Sequence, residues 1–215
     1  MSERTFPPAR WVGYYDAVAG QPARKTLVHA ADAFAAERFV GSAVDLGCGS
    51  GRDTFELLRR GWRVLAIDAD EDGIRRIHEA AHEDPRLTTR VSRLEDATWE
   101  PADLVNASYS LFFLAPDAFA STWALIRASL RPGARFSGQI LGDRDTWAAD
   151  PRMSHHTRDD AMRLLDGLAV ELFEEDENPC GPMATGGMKH WHVFHVVARR
   201  PRQPEVGQSV ARSAV

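Results

Sequence analysis

Cysteine is scarce in this sequence: Cys48 and Cys180 are the two in 215 residues. Two thiols cannot build a cysteine-ligated metal cluster or a disulfide framework, so reduced thiols in a cytoplasmic protein are the default expectation. No stretch approaches the roughly 18 consecutive apolar residues that a bilayer-crossing helix needs. Residues 1–10 lack the apolar core of a signal peptide. An excess of basic charge is also missing. The formal net charge is −5, which argues against a general nucleic-acid binder, since counterion release requires a clustered basic surface. Internal repeats are absent as well.

What remains is the composition of a globular enzyme, with 44% hydrophobic and 27% charged residues. The length suits one α/β domain that buries a sheet between two helical layers. Short apolar runs at 43–46, 63–67, 87–94, 103–107 and 134–141 alternate with helical patterns after Pro22, at 52–60, at 71–82 and after Pro116. That alternation predicts a mostly parallel sheet covered on both faces. Arg131-Pro132-Gly133 reads as a turn into the fifth strand. Thr157-Arg158-Asp159-Asp160 reads as a capping box that opens a helix ending near Gly167. Residues 168–173 and 191–197 then form two strands with no helix between them, which makes them antiparallel neighbours. The glycine- and proline-rich segment 178–189 between them is either a mobile lid or a hairpin loop. The expected organisation is an arm and helix over residues 1–40 covering the ligand site, a main domain over 41–200, and a disordered tail over 201–215.

The segment Val44-Asp45-Leu46-Gly47-Cys48-Gly49-Ser50-Gly51 joins the first strand to a helix. Glycines at alternate positions permit positive φ and close approach of a ligand to the backbone. A dinucleotide fingerprint would place its third glycine where Arg52 stands. Asp45 at the strand end would repel a pyrophosphate and welcome a cation. S-adenosylmethionine, with its sulfonium and ammonium, suits such a carboxylate. Asp68 ends the second strand, placed to accept both ribose hydroxyls of a nucleoside. Glu95-Asp96 follows the third strand and could accept an adenine amino group, with Asp96 the favoured acid. Taken singly, these features are a tight turn, a helix cap and solvated charges. Jointly they fall at the C-terminal ends of successive strands, where open α/β sheets bind ligands.

With these pieces, with Asp103-Leu104-Val105 and with the Leu130-to-Gly133 turn, the chain resembles the class I S-adenosylmethionine-dependent methyltransferases over residues 41–199. The resemblance implies a Rossmann-like seven-stranded sheet, mostly parallel with an antiparallel C-terminal strand, and helices on both faces. Leu46 through Thr54, Arg59 through Val64 and Lys189-His190-Trp191-His192 are similar to the tellurite-resistance-type branch of small-molecule methyltransferases. The resemblance implies cofactor contacts from Asp45, Gly47, Gly49, Asp68 and Asp96, with Cys48, Gly51, Ala69 and Glu95 counted beside them. It places Asn106 and Ala107 next to the sulfonium, and has Tyr15 and Arg24 close over the methionine end, Arg24 facing its carboxylate.

Methyl transfer from a sulfonium is a direct displacement, helped mainly by holding the nucleophile in line. A general base matters only for a nucleophile that keeps its proton. His155 and His156, after the fifth strand, are the candidates for that role. Ser108, Phe112, Trp147 and His192 are candidate walls of the acceptor pocket, together with Tyr15 and Phe113; aromatic walls exclude water and attract a sulfonium. His195 should point to the opposite face of its strand from His190 and His192 and reads as a core residue. No metal is expected, because no acidic ligand lies at a suitable local spacing. The expected function is methyl transfer to a small-molecule nucleophile, with O, N, S and chalcogen acceptors all open and the oligomeric state unassigned. Two other readings stay open: a non-catalytic or differently reacting S-adenosylmethionine-binding protein, and a nicotinamide-dependent oxidoreductase.

Overall fold

The computed structural model describes residues 8–202. Residues 203–215 of the expected disordered tail, and residues 1–7 of the expected arm, lie outside the described residues. Seven strands form one sheet: β1 (Ser42–Leu46), β2 (Arg63–Asp68), β3 (Leu87–Val91), β4 (Ala102–Ala107), β5 (Leu130–Leu141), β6 (Ala169–Pro182) and β7 (Met188–Arg199). Their order is β3-β2-β1-β4-β5-β7-β6. Strands β1 to β5 pair in parallel, and β7 runs antiparallel to both β5 and β6. The expected Rossmann-like architecture with an antiparallel final strand is the one observed.

Among the described residues six α-helices accompany the sheet: α1 (Pro8–Val18), α2 (Lys25–Ala36), α3 (Arg52–Arg59), α4 (Glu71–Ala81), α5 (Pro116–Ser129) and α6 (Arg158–Leu164). Pro116 starts α5 where a missing N–H costs nothing. Its Phe119, Trp123 and Ile126 then recur on the face buried against the sheet, each such side chain contributing about 2 kcal/mol by leaving water. The indole N–H of buried Trp99 is satisfied by Ser129 Oγ at 2.8 Å. On the opposite face Leu27 and Phe34 of α2, Leu57 of α3 and Ile74 of α4 pack with Trp62. With both faces covered, β1 is buried from Ala43 to Leu46, which is why it reads as a continuous apolar run broken only by Asp45.

Several boundaries differ from the sequence expectation. From Pro8 the expected arm is helical in α1, with Trp11, Tyr14, Tyr15 and Val18 at helical spacing. Strand β3 stops at Val91: the Ser92 N–H gives the last rung to the Asp68 carbonyl at 2.8 Å, and a 3-10 turn follows at Leu94–Asp96. Helix α6 opens on the expected capping box, Thr157 and Asp160 each taking the other's N–H, but it ends at Leu164. Strands β6 and β7 run well past 173 and 191, so segment 178–189 is a paired hairpin closed by a tight turn in which the Met183 N–H bonds the Gly187 carbonyl. The lid alternative is thereby replaced. This topology brings the C-terminal ends of β1, β2, β4 and β5 and the start of β7 to one edge of the sheet.

Candidate active site

The glycine loop follows β1 with Gly47, Gly49 and Gly51 all at positive φ, 70°, 53° and 92°. Space as well as conformation excludes larger residues here. A Cβ on Gly47 would stand 2.3 Å from Ser110 Cβ, and one on Gly51 would meet Phe55 at 2.7 Å and Ile77 at 2.8 Å. Asp68 locks the loop to β2: one carboxylate oxygen accepts the Gly49 N–H at 2.8 Å and the other the Asp70 N–H at 2.9 Å. Each oxygen keeps a lone pair for a further donor. Burial raises the Asp68 carboxyl above the usual carboxylate range, against the backbone N–H bonds that favour its ionised form.

Tyr15 of α1 lies against this loop. Its ring touches the Cβ direction of Gly49 at 3.0 Å, and its hydroxyl faces Gly73 at the start of α4. Burial first, then Asp68 and Asp70, push the phenol pKa far up. Tyr15 therefore covers the Asp68 side of the loop. Cys48 is buried in the loop, with its thiol also raised by burial and by Asp45 and Asp68. Ala69 is exposed beyond Asp68.

Behind the loop lies a buried pair of acids. Asp45 is 1% exposed and Asp53 4%. Thr54 Oγ1 donates to Asp45 at 2.6 Å, and Asn106 Nδ2 donates to Asp45 at 2.9 Å and to Asp53 at 3.1 Å. Asn106 is in turn held by Ser137 Oγ at 2.7 Å, with Ser108 Oγ at 3.4 Å. The Arg24 backbone N–H fills the remaining Asp53 oxygen at 2.9 Å. Among the described residues no cationic side chain pairs with either acid. Burial, and next to it Asp53, push the Asp45 carboxyl up to about 7, against the hydrogen bonds from Thr54 and Asn106. Asp45, at the end of β1 as expected, lies buried beneath the loop, and Asn106 acts through its side chain as the bridge between the two carboxylates. Ala107 is fully buried beside it.

At the mouth of the site the Arg24 guanidinium lies 4.3 Å from the centre of the Tyr109 ring and 3.3 Å from the Tyr14 hydroxyl. Arg52, half-buried, donates through Nε to the Pro22 carbonyl at 2.6 Å. Tyr109 follows β4 at φ 55°, a left-handed conformation that costs energy for a non-glycine residue. From it an aromatic wall extends along the sheet edge. Tyr109 meets Phe112 at 6.1 Å and Trp191 at 6.2 Å, Trp191 meets Trp147 at 5.3 Å, Trp147 meets Phe113 at 5.8 Å, and Trp11 of α1 meets Phe113 at 5.5 Å. Buried Lys189 sits 3.8 Å from the Trp147 ring and 3.9 Å from the Trp191 ring. Its ammonium pairs with Asp145, which also accepts the Trp147 and His192 N–H groups at 2.8 and 3.0 Å. His195 reaches the wall too, its ring 6.3 Å from Tyr109.

The other expected site residues lie elsewhere. His192 is fully buried on the far face of β7, where its Nδ1 accepts the Arg144 N–H at 3.1 Å and its Nε2 meets Glu175 at 3.0 Å. It supports the hairpin and is no part of the aromatic wall, because period two puts Lys189, Trp191 and His195 on the other face. Glu175, Glu177 and His192 cluster in the manner of metal ligands, yet the Arg144 guanidinium stands 2.7 Å from both glutamates. His155 is exposed, while His156 tilts against Phe119 at 4.7 Å with its pKa lowered by burial. Glu95 is tied to Arg93, and Asp96 beside it is exposed. Missed entirely were Asp53, Tyr14, Tyr109, Asp145, Lys189 and Trp191. The period-two pattern of β7 was the signal for the last two; Lys189 in a glycine-rich segment reads as a solvated charge.

Comparisons with known proteins follow this geometry. Residues 43–133 match the sequence model of a family described as a methyltransferase domain. Over 96 residues the chain is 34% identical to carboxy-S-adenosyl-L-methionine synthase of Shewanella amazonensis, covering 41% of this chain and 40% of that protein. The chain thus aligns with about two fifths of the length of this curated relative. Among solved structures, TehB from Haemophilus influenzae superposes with a TM-score of 0.73 at 16% identity, over 87% of this chain and 65% of that one. The 1,6-didemethyltoxoflavin-N1-methyltransferase of Burkholderia thailandensis, solved with its acceptor and S-adenosylhomocysteine, gives 0.62 at 20% identity over 94% and 93% of the two chains. The N-methyltransferase NodS of Bradyrhizobium japonicum gives 0.66 at 14% identity over 89% and 98%. No helix among the described residues is long and apolar enough to cross a membrane. Residues 43–133 thus match a methyltransferase-domain family, and the chain shares the fold of TehB, the didemethyltoxoflavin enzyme and NodS.

Proposed function

We propose that this chain transfers a methyl group from S-adenosylmethionine to a small-molecule nucleophile. The observation that carries the reading is the buried Asp45–Asp53 pair, which has no cationic side chain and lies directly under a glycine loop clamped by Asp68. Two buried carboxylates without a counter-charge are costly unless a cation neutralises them, and an aminoacyl sulfonium is such a ligand. When bound, S-adenosylmethionine supplies a methyl carbon activated by a positively charged sulfur.

In this reading Asp68 accepts the ribose hydroxyls with the lone pairs its backbone donors leave free. Asp96 receives the adenine amino group, since Glu95 is engaged by Arg93. The glycines, Cys48 and Ala69 line the nucleoside, Asn106 and Ala107 stand at the sulfonium, and Arg24 takes the methionine carboxylate. Tyr15 closes the nucleoside side, which makes residues 1–40 a cover over the cofactor. Ser108, Phe112 and Trp147 border the acceptor. Holding the acceptor in line is the main catalytic task; His155 and His156 are the base candidates for an acceptor that keeps its proton. A small acceptor fits the activity named for the didemethyltoxoflavin enzyme, and kinship with the TehB-type branch fits the loop Gly47-to-Thr54. The two free thiols fit a cytoplasmic location.

Titration calorimetry tests this. S-adenosylhomocysteine should bind and NADH should not, and Asp68→Ala should weaken the former by more than about tenfold through loss of two charge-assisted hydrogen bonds. Equal binding of NADH, or unchanged affinity in the folded variant, would remove the reading. A labelled-methyl screen over chalcogen oxyanions, thiols, amines and phenols then identifies the acceptor class.

A further inference from the structure

Arginines in this protein are, as a rule, matched by carboxylates. Arg60 pairs with Glu56 and Asp32, Arg135 with Glu37 and Glu171, and Arg144 with Glu175 and Glu177. Others do not follow it: Arg90, Arg127 and Arg200 bond backbone carbonyls instead, and at the candidate site stand Arg24 and Arg52. Neither has a carboxylate partner among the described residues, although both stand at the C-terminal edge of the sheet and close enough for Arg24 to disfavour the charge on Arg52. The nearest acid, Asp53, has its oxygens taken by the Arg24 N–H and by Asn106. Arg52 Nη1 is buried and finds no acceptor among the described residues.

One carboxylate on the cofactor satisfies one guanidinium, the role assigned above to Arg24. Arg52 is left over. Near it, Tyr109 begins a run of half-buried rings through Trp191, Trp147 and Phe113 to Trp11, with the Arg24 guanidinium over Tyr109 and the Lys189 ammonium over Trp147 and Trp191. Lys189 does not add charge to this wall, because Asp145 neutralises it. A small inorganic oxyanion would use the arginine and leave the rings idle. A neutral apolar molecule would use the rings and leave a buried guanidinium donor unpaired, which is expensive.

We infer that the acceptor is a planar aromatic molecule bearing an anionic group, its anion held by Arg52 and its ring laid along the Tyr109–Trp191 wall. This rests on the methyl-transfer reading, whose S-adenosylhomocysteine complex is the starting point of the test. In protein saturated with S-adenosylhomocysteine, calorimetry compares 2-naphthoate with its neutral isostere 2-naphthamide and with cyclohexanecarboxylate, which has the charge without the ring. Naphthoate should bind at least about tenfold tighter than either, as expected for a charge-assisted contact joined to stacking. Arg52→Gln should bring naphthoate and naphthamide to within about threefold of each other while the affinity for S-adenosylhomocysteine holds, and Arg52→Lys, which keeps the charge, should restore part of the preference. Equal binding of the three probes to the loaded wild type overturns the inference and leaves the methyl-transfer reading standing. So does an Arg52→Gln variant that loses S-adenosylhomocysteine and keeps the naphthoate preference, which would assign Arg52 to the cofactor. Failure of wild type to bind S-adenosylhomocysteine overturns both.

Discussion

Protonation of Asp45 should couple cofactor affinity to pH. The carboxyl ordinarily titrates at 3.8 and here is pushed up to about 7, by burial and then by Asp53. Between those values the folded protein holds a proton that the unfolded chain has released. Stability from this group is therefore present at low pH and is lost as pH rises from about 4 through about 7. The α-ammonium that S-adenosylhomocysteine shares with S-adenosylmethionine favours the opposite, ionised form, so binding expels the proton. At pH 6 about ten of eleven molecules carry it and at pH 8 about one in eleven, which makes S-adenosylhomocysteine bind about tenfold more weakly at pH 6, or about 1.4 kcal/mol. Calorimetry at pH 6, 7 and 8, in buffers of small and large ionisation enthalpy, reads both the affinity and the proton count. Close to one proton should leave at pH 6 and almost none at pH 8. Asp45→Asn should remove the slope while keeping the fold, because Asn106 can still donate to the retained oxygen and the Thr54 hydroxyl can turn to accept from the amide. A wild-type affinity constant over this range, or the same slope in the variant, would refute the argument.

Two further outcomes concern the scaffold. Gly47→Ala should lower stability by at least about 2 kcal/mol in urea denaturation, since it combines a left-handed backbone with a collision against Ser110; an unchanged midpoint would contradict the loop geometry. Lys189→Met should cost about 3 kcal/mol because it strands the buried Asp145 charge, and adding Asp145→Asn should recover much of that loss. Additive penalties in the double-variant cycle would show that the pair does not interact.

The sequence alone determined the chain of strand, glycine loop and helix, the acid at the end of β2, the capping box at Thr157 and the antiparallel finish. Those features rest on local causes: positive φ at glycine, side-chain capping, and hydrophobic period. Periodicity also carried the face assignment in β7, with His192 and His195 on opposite sides. It could not say which face meets the site, so His192 was assigned to the acceptor wall and Lys189 and Trp191 were passed over. Helix α1 was legible in the spacing of Trp11, Tyr15 and Val18, yet the segment was read as part of an arm. Only the tertiary structure decided the rest. Asp45 looks like a surface ligand until β4 brings Asn106 across it and α3 brings Thr54 and Asp53. The aromatic wall draws on α1, the segment after β4, the segment after β5 and the start of β7. Local preference sets the conformation of each segment, while the parallel crossovers and the insertion of β7 beside β5 set which of them meet.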